Sequence, residues 1–293
     1  MSDGDRHMTV NHRTGLSFTE LMELRKSCRS FSGRPLGMNE KELLDSFMAS
    51  QADPPFGSRT RFYLVESGVE GLKTVPGTYG VIRGATHFIV GAVNKDGANM
   101  EDFGYQFEKI ILFATGLRLA TCWVGGTFSR SSYADLIGLT KNEILPAVCP
   151  VGYPQETPTF RDRFMRASVG SAKRKEWKEL FFSKDFRTPI DADRAGVYGR
   201  PLEMVRLAPS AVNKQPWRVV VADDRVYFFL RRTPGYRKLF PAADLQRIDM
   251  GIAMCHFDLA MREAGIDGQW EKGPAAVDTV PPRAEYCATW VRN

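Results

Sequence analysis

The chain has 293 residues, 43% of them apolar, with 40 Lys and Arg against 34 Asp and Glu for a formal charge of +6. That length and apolar content can bury a sizeable core as one large or two intermingled domains, and exclude a generally disordered chain. Its basic residues are dispersed except for a run from Arg161 to Lys178, seven cations interrupted by Asp162 and Glu176; without interleaved aromatics or a recognisable module the run reads as a solvated face or linker, not a nucleic-acid surface.

Met1 to Met8 is polar and lacks the apolar region of a signal peptide; its His7-Met8 ending resembles a tag remnant, which would put the native start near Thr9, so it is left out of the fold reading. Ser17 with Glu20 forms a capping-box signature, and Phe18, Leu21, Met22 and Leu24 predict the apolar face of a short helix that delivers Arg25 and Arg29 side by side. A second helix is expected from Asn39, with Leu43, Leu44, Phe47 and Met48 on one flank, ending at Asp53-Pro54-Pro55. Arg61 to Glu66 and Thr86 to Val93 are aromatic and β-branched, so both predict strands. Asp102 is the expected cap of a long helix carrying Phe103, Phe107, Ile110, Ile111, Ala114 and Leu117, apolar over so wide a face that it should be central. Thr121 to Val124 and Ile144 to Val151 read as short buried strands, each ended by glycine. From about Gln155 to Gly196 the chain reads as a basic connector with one helix around Lys173 to Phe182.

Beyond it the pattern restarts. Pro201 to Leu207 predicts a brief helix, Trp217 to Ala222 and Arg225 to Arg231 a hairpin turning at Asp223-Asp224, and Leu245 to Ala264 a second long apolar helix. A constant shift of 147 residues, the spacing from Asp102 to Asp249, also superposes Gly104 on Gly251, Leu112 on Leu259 and Trp123 on Trp270. Upstream of each helix lie similar blocks, Ala52 to Val65 and Ala208 to Val221, and each is preceded by Gly-Arg-Pro-Leu, at 33–36 and 199–202. The shared order of three features supports a duplicated α/β unit.

The five cysteines are widely spaced and form no CxxC, and the four histidines show no metal-ligand spacing, so neither a disulfide framework nor a metal site is expected and a reducing cytoplasm fits best. No apolar run reaches the length of a membrane span. There is no GxGxxG opening a helix, no GxxxxGK and no GxSxG, which removes the common dinucleotide, P-loop and hydrolase readings.

Three other segments can carry chemistry. Arg25, Lys26, Ser27, Cys28 and Arg29 put two guanidinium groups on one face of a helix with a hydroxyl between them, a geometry for phosphate, although a solvated basic helix end fits the isolated pattern too. In the loop Pro209 to Trp217, two prolines fix the backbone while Ser210, Asn213 and Gln215 present donors and acceptors able to read the polar edge of a planar ring; the alternative is a structural Asx-turn with Trp217 packed in the core. Trp123-Val124-Gly125-Gly126 ends a strand where side chains vanish, which suits either a flat ligand against backbone amides or a tight turn.

Together these pieces resemble the nitroreductase superfamily, whose motifs read here as Arg-x-Ser-x-Arg at 25–29, Pro-Ser-x-x-Asn-x-Gln-Pro-Trp at 209–217, the Gly-Leu-x-x-x-x-Cys-Trp-like stretch at 116–126 and Gly-Tyr-Pro at 152–154. In the usual member the Arg segment and the Asn-Gln loop both lie near the N-terminus, and a homodimer brings one chain's segment to the other's loop. Here the first half has the segment but reads Asp53-Pro54-Pro55-Phe56-Gly57-Ser58-Arg59 where the loop belongs, while the second half has the loop and lacks the segment. The division is similar to the fused, single-chain subfamily of nitroreductase-like proteins.

The resemblance implies an α+β, nitroreductase-like fold with mixed sheets packed by long central helices, its two halves (17–160 and 197–293, joined by a connector over 161–196) imitating the family dimer. It implies one flavin mononucleotide per chain, its phosphate and ribityl end on Arg25, Lys26, Ser27 and Arg29 with Arg161 and Arg163. Pro209, Ser210, Ala211, Asn213 and Gln215 would line the ring from the other half, and Trp123, Val124, Gly125 and Gly126 would lie near its reactive nitrogen. The implied activity takes hydride from NADH or NADPH and reduces an electron-poor acceptor such as a nitroaromatic or quinone, with no protein acid or base and no metal. A monomer without nucleic-acid or membrane partners is expected; the alternative keeps the fold as a non-catalytic flavin sensor or scaffold.

Overall fold

The computed structural model describes residues 15–67, 80–97, 99–156 and 173–293. Helix α1 (Phe18–Leu24) begins with the reciprocal Ser17 and Glu20 bonds of a capping box. Helix α2 (Met38–Ala49) starts one residue before the expected Asn39, from Gly37, which offers no side-chain cap. Strands β1 (Thr60–Glu66) and β2 (His87–Asn94) pair antiparallel. The long helix α3 (Met100–Gly116) is capped by Asn99 and not by Asp102, because Asn99 Oδ1 already accepts from the amides of Glu101 and Asp102. Asp102 is left to pin the neighbouring loop, accepting from the Phe56 and Ser58 amides at 3.0 Å each.

Strand β3 (Ala120–Thr121), helix α4 (Arg130–Leu136) and strands β4 (Glu143–Ile144) and β5 (Val148–Gly152) complete the first half. The strand expected over 144–151 is therefore two short ones separated at Pro146, which lacks a ladder donor. The strand expected over 121–124 is β3 plus an isolated bridge from Val124 to Val148.

The second half holds α5 (Trp177–Leu180), β6 (Phe181–Ser183), α6 (Gly199–Leu207), β7 (Trp217–Ala222), β8 (Arg225–Arg231), α7 (Tyr236–Leu239), α8 (Leu245–Glu263), β9 (Gly268–Glu271) and β10 (Ala284–Arg292). The helix expected around 173–182 shrinks to the four residues of α5, because Phe181 to Ser183 extend to pair in parallel with Val219 to Val221. From Lys173 onward, what reads as a connector is built into the second half.

The two sheets have matching orders: β1-β2-β5-β3, with β4 beside β2, and β7-β8-β10-β9, with β6 added at the β7 edge. Leaving aside the added β6, each central helix falls between the second and third strands of its half, so the halves share one topology. Helices α3 and α8 cross in direct backbone contact. A Cβ at Gly104 would strike the Ile248 carbonyl, and one at Gly251 would strike the Glu101 carbonyl. Under the 147-residue shift these are the same contact seen twice, the reciprocity of a two-fold axis. Around it a single core joins the halves, with Phe103, Phe107 and Ile110 beside Met250, Met254 and Phe257.

Candidate functional site

The phosphate geometry expected of a helix at 25–29 is corrected. Helix α1 stops at Leu24, and Arg25 is already extended with ψ 122. The segment then runs as an added edge: Ser27 bridges Thr121 in parallel, the Cys28 amide donates to the Thr121 carbonyl at 2.8 Å, and Phe31 bridges Pro154. Extended backbone has period two, so Arg25, Ser27 and Arg29 still share a face, for a different reason. All three act on the Cys122 thiol, which burial pushes up while Arg29 and Arg25 pull it down. Lys26, on the alternate face, is exposed.

Arg25 is 8% exposed, and its Nε and Nη1 are buried without a hydrogen-bond partner among the described residues. Beside it a cavity of about 280 Å³ is lined by Arg25, Lys26, Cys28, Thr115, Arg118 and Thr121. Sequence reading missed Arg118, which follows α3 with φ 60. Arg161 and Arg163 lie outside the described residues.

A second arginine reaches this region from the opposite half. Arg174 Nη1 donates to Asn213 Oδ1 and Nη2 to the Leu207 carbonyl, each at 2.9 Å. Burial lowers its guanidinium to about 10, and the next cause is the like charge of Arg25. Arg174 is thus fixed to the 209–217 loop by hydrogen bonds and feels the charge of the 25–29 segment.

The loop itself is tightly wound. Val212, Asn213 and Gln215 have φ of 51, 53 and 47, and a β-branched residue in that region is strained. Its amides point into the chain: Asn213 Nδ2 donates to the Lys173 carbonyl at 2.9 Å, and Gln215 Oε1 accepts from the Lys175 amide at 2.8 Å. Gln215 Nε2 donates to the carbonyls of Lys173 and Asn213. Asn213 and Gln215 thus clamp the 173–175 segment, where the sequence suggested ring readers. Ser210 Oγ accepts from the Gln215 amide, and the Ala211 amide donates to Asp249 Oδ1, both at 2.9 Å; Pro209 precedes them in the loop. Asp249 repeats the task of Asp102 on the equivalent loop. Its Oδ2 and the Tyr236 hydroxyl are buried without partners among the described residues. Burial pushes the Asp249 carboxyl well up, and burial with the nearby Asp249 takes the Tyr236 hydroxyl to about 12.

At the end of β3 the expectation changes in part. The Val124 amide is spent on the Val148 carbonyl at 2.9 Å, so it cannot meet a ligand. The amides of Gly125 and Gly126 donate to nothing among the described residues. Leu245 and the Phe240 ring of the second half stand where side chains at Gly125 and Gly126 would be, so a missing Cβ is what admits them. Trp123 packs on Phe107 with ring centroids 4.7 Å apart and donates through its indole to Glu108 Oε2 at 2.7 Å. Sequence reading also missed Glu108: one charged residue on an apolar helix gives no signal until its partners are known. Among the described residues no His, Cys, Asp and Glu group could hold a metal, and no helix is long and apolar enough to cross a membrane.

Two halves of one topology sharing a core define a mixed α+β protein of the nitroreductase fold. A Thermotoga maritima structure described as a putative nitroreductase superposes with a TM-score of 0.61 at 18% identity, covering 96% of this chain and 95% of its own. The family model described as "Putative TM nitroreductase" matches residues 17–261, and the chain belongs to that family. Shorter proteins align at lower scores: a Desulfitobacterium hafniense nitroreductase with bound FMN covers 49% of this chain and 92% of its own at 17% identity and a TM-score of 0.39. A Clostridium difficile nitroreductase family protein covers 52% and 92% at 20% identity and a TM-score of 0.39. No curated protein matches.

Proposed function

We propose that the chain is an FMN-dependent oxidoreductase, taking hydride from NADH or NADPH and reducing an electron-poor acceptor of nitroaromatic or quinone type. The observation that carries this reading is Arg25: a buried guanidinium whose Nε and Nη1 have no hydrogen-bond partner among the described residues, beside a cavity lined by two further cations, Lys26 and Arg118. A cation with donors left so is costly unless an anion completes it, and phosphate oxygens accept strongly from guanidinium N–H groups. Membership of a nitroreductase family, with FMN named for some of the similar structures, supports FMN among phosphate-bearing ligands.

In this reading Arg25, Lys26, Ser27 and Arg29 hold the phosphate and ribityl end, with Arg118 added and Arg161 and Arg163 in reserve on the chain between the halves. Pro209, Ser210 and Ala211 give the ring a stiff wall. Asn213 and Gln215 act through that wall, by keeping the loop and Arg174 in place. Gly125 and Gly126 supply free amides near the ring's reactive nitrogen, with Trp123 behind them. Phe240 either stacks on the ring or moves aside for it. The flavin, when bound, supplies the hydride chemistry; the chain orients it and excludes water, and no side chain is required as acid or base.

Each chain is read as holding one site. At the position equivalent to Gly125 stands Lys272, its ammonium 4.5 Å above the ring of Phe56, so the second location is filled by the protein's own side chains. The chain is read as a monomer, because its second half takes the place of a partner.

The test is purification with added FMN. The expected result is a yellow protein that bleaches under NADH or NADPH without oxygen and recovers colour with a quinone. An Arg25→Ala variant should fold, as judged by circular dichroism, and bind FMN at least roughly tenfold more weakly, the scale of one lost charged hydrogen bond. A wild-type chain that stays colourless at millimolar FMN would refute the reading.

A further inference from the structure

The two central helices differ at one telling position. In the register that pairs Gly104 with Gly251, Glu108 corresponds to Cys255 and Trp123 to Trp270. The Trp123 indole donates to Glu108, whereas Trp270 Nε1 is buried and donates to nothing among the described residues. A carboxylate therefore stands only in the half that carries Arg25, although the other half keeps a tryptophan in place to receive one.

Glu108 is fully buried and crowded by donors. His256 Nδ1 lies 2.9 Å from the Met204 carbonyl, which can only accept, so that nitrogen carries hydrogen. His256 Nε2 is 2.9 Å from Glu108 Oε1, so one proton sits between them, whichever atom holds it. Trp123 occupies Oε2 at 2.7 Å. Arg25 Nε comes no closer than 3.7 Å to Oε1, beyond a charge-assisted hydrogen bond, with the two side chains 5% and 0% exposed. The thiols of Cys149 and Cys255, which also face Glu108, are pushed well up by burial and stay neutral. The charge balance lies with Arg25, Glu108 and His256.

A buried guanidinium needs a counter-charge, yet a carboxylate bonded to it directly would use the N–H groups that an anion needs. Glu108 turns an oxygen toward Arg25 without taking its N–H groups, because His256 from α8 and Trp123 from the end of β3 hold its oxygens; with its shared proton the Glu108–His256 pair is net neutral, so the charge of Arg25 is left for an anion to complete. We infer that Glu108, clamped by His256 and Trp123, is a positioning residue that keeps Arg25 buried, charged and with its donors unspent for the phosphate of FMN. The inference rests on the phosphate reading above and adds the device that prepares it. It also makes the site depend on both halves, since the clamp on Oε1 comes from the second half and Arg25 from the first.

The experiment compares dissociation constants of FMN and of riboflavin, which lacks only the phosphate, by flavin fluorescence on the full chain. Their ratio isolates the phosphate contacts. Removing a clamp, in His256→Leu or in Trp123→Phe, frees a carboxylate oxygen to close on Arg25. The FMN preference over riboflavin should then fall about tenfold, one charged hydrogen bond's worth. Loss of both ligands by the same factor, or an unchanged preference in either folded variant, overturns the inference and marks Glu108 as merely structural. A wild-type chain with no preference for FMN is a different result, which removes the phosphate reading itself.

Discussion

At the scale of single residues, the 209–217 loop concentrates unfavourable backbone. Val212 is 56% exposed and adopts φ 51, so its side chain contributes little packing to offset the left-handed conformation. That conformation costs roughly 1–2 kcal/mol for a residue with Cβ, of which glycine's extra chain entropy returns about half. Val212→Gly should therefore stabilise the chain by about 0.5–1 kcal/mol, seen as a higher urea midpoint with an unchanged slope.

Lys175, next to the same loop, shows the opposite economy of charge. Burial, then the like charge of Arg218, lowers its ammonium from the ordinary 10.5 to about 8. The folded chain then disfavours the proton that the unfolded chain holds. The penalty is complete below pH 8 and disappears as pH rises from about 8 to 10.5, so this residue's contribution makes stability increase over that window. Lys175→Met should raise stability at pH 7 and flatten the rise, as read by urea midpoints at pH 7 and 9.5. Of the residues around the site, Arg25, Ser27 and Arg29 were legible as a phosphate-type motif. Arg118, Arg174, Glu108, His256 and Tyr236 were not, because each gains meaning from a partner distant in sequence.

At the scale of elements, the decisive contact is the crossing of α3 and α8. Side chains on both helices are buried almost all round, as expected of helices that lie between two sheets. Gly104 and Gly251 allow the backbones to meet. In Gly251→Val the new side chain would be driven into the Glu101 carbonyl, and the helices would have to separate. The expected cost is about 3 kcal/mol or more, with impaired FMN binding, because Glu108 and His256 sit on the two helices being parted. Thermal unfolding with and without FMN measures both. The sequence announced these helices through their apolar period, and the matched pair of glycines was visible in the shift of 147. What it did not announce was the segment at 25–29 as strand-like: the helical reading of i and i+4 and the extended reading of i, i+2 and i+4 both place the arginines together. Only the bridge to Thr121 separates them.

At the scale of the whole molecule, two equal topologies carry unequal sites. In the proposed site the first half would contribute the arginine segment and Glu108, and the second the loop, Arg174 and His256. At the pseudo-symmetric position Lys272 packs its ammonium on the Phe56 ring. Titration of FMN into the chain should accordingly saturate near one flavin per chain, and sedimentation at micromolar concentration should give the mass of a monomer. Saturation at two per chain would show that the Phe56 and Lys272 side chains open, and a dimer would show that the halves do not suffice as each other's partner.

By itself the sequence determined the elements and their repetition, because apolar period, capping residues and turn residues act over a few positions. It also showed that one phosphate-type segment and one loop are shared between two halves, since each motif is contiguous. The tertiary structure decided which donors are spent and which are left. Asn213 and Gln215 read as ring ligands, and their amides are bonded to the 173–175 segment; Arg25 read as a phosphate ligand or, in isolation, a solvated helix end, and it is buried with Nε and Nη1 without partners among the described residues. The difference is physical: a hydrogen-bonding group's availability depends on every neighbour it has, and in this chain those neighbours lie tens of residues away in sequence.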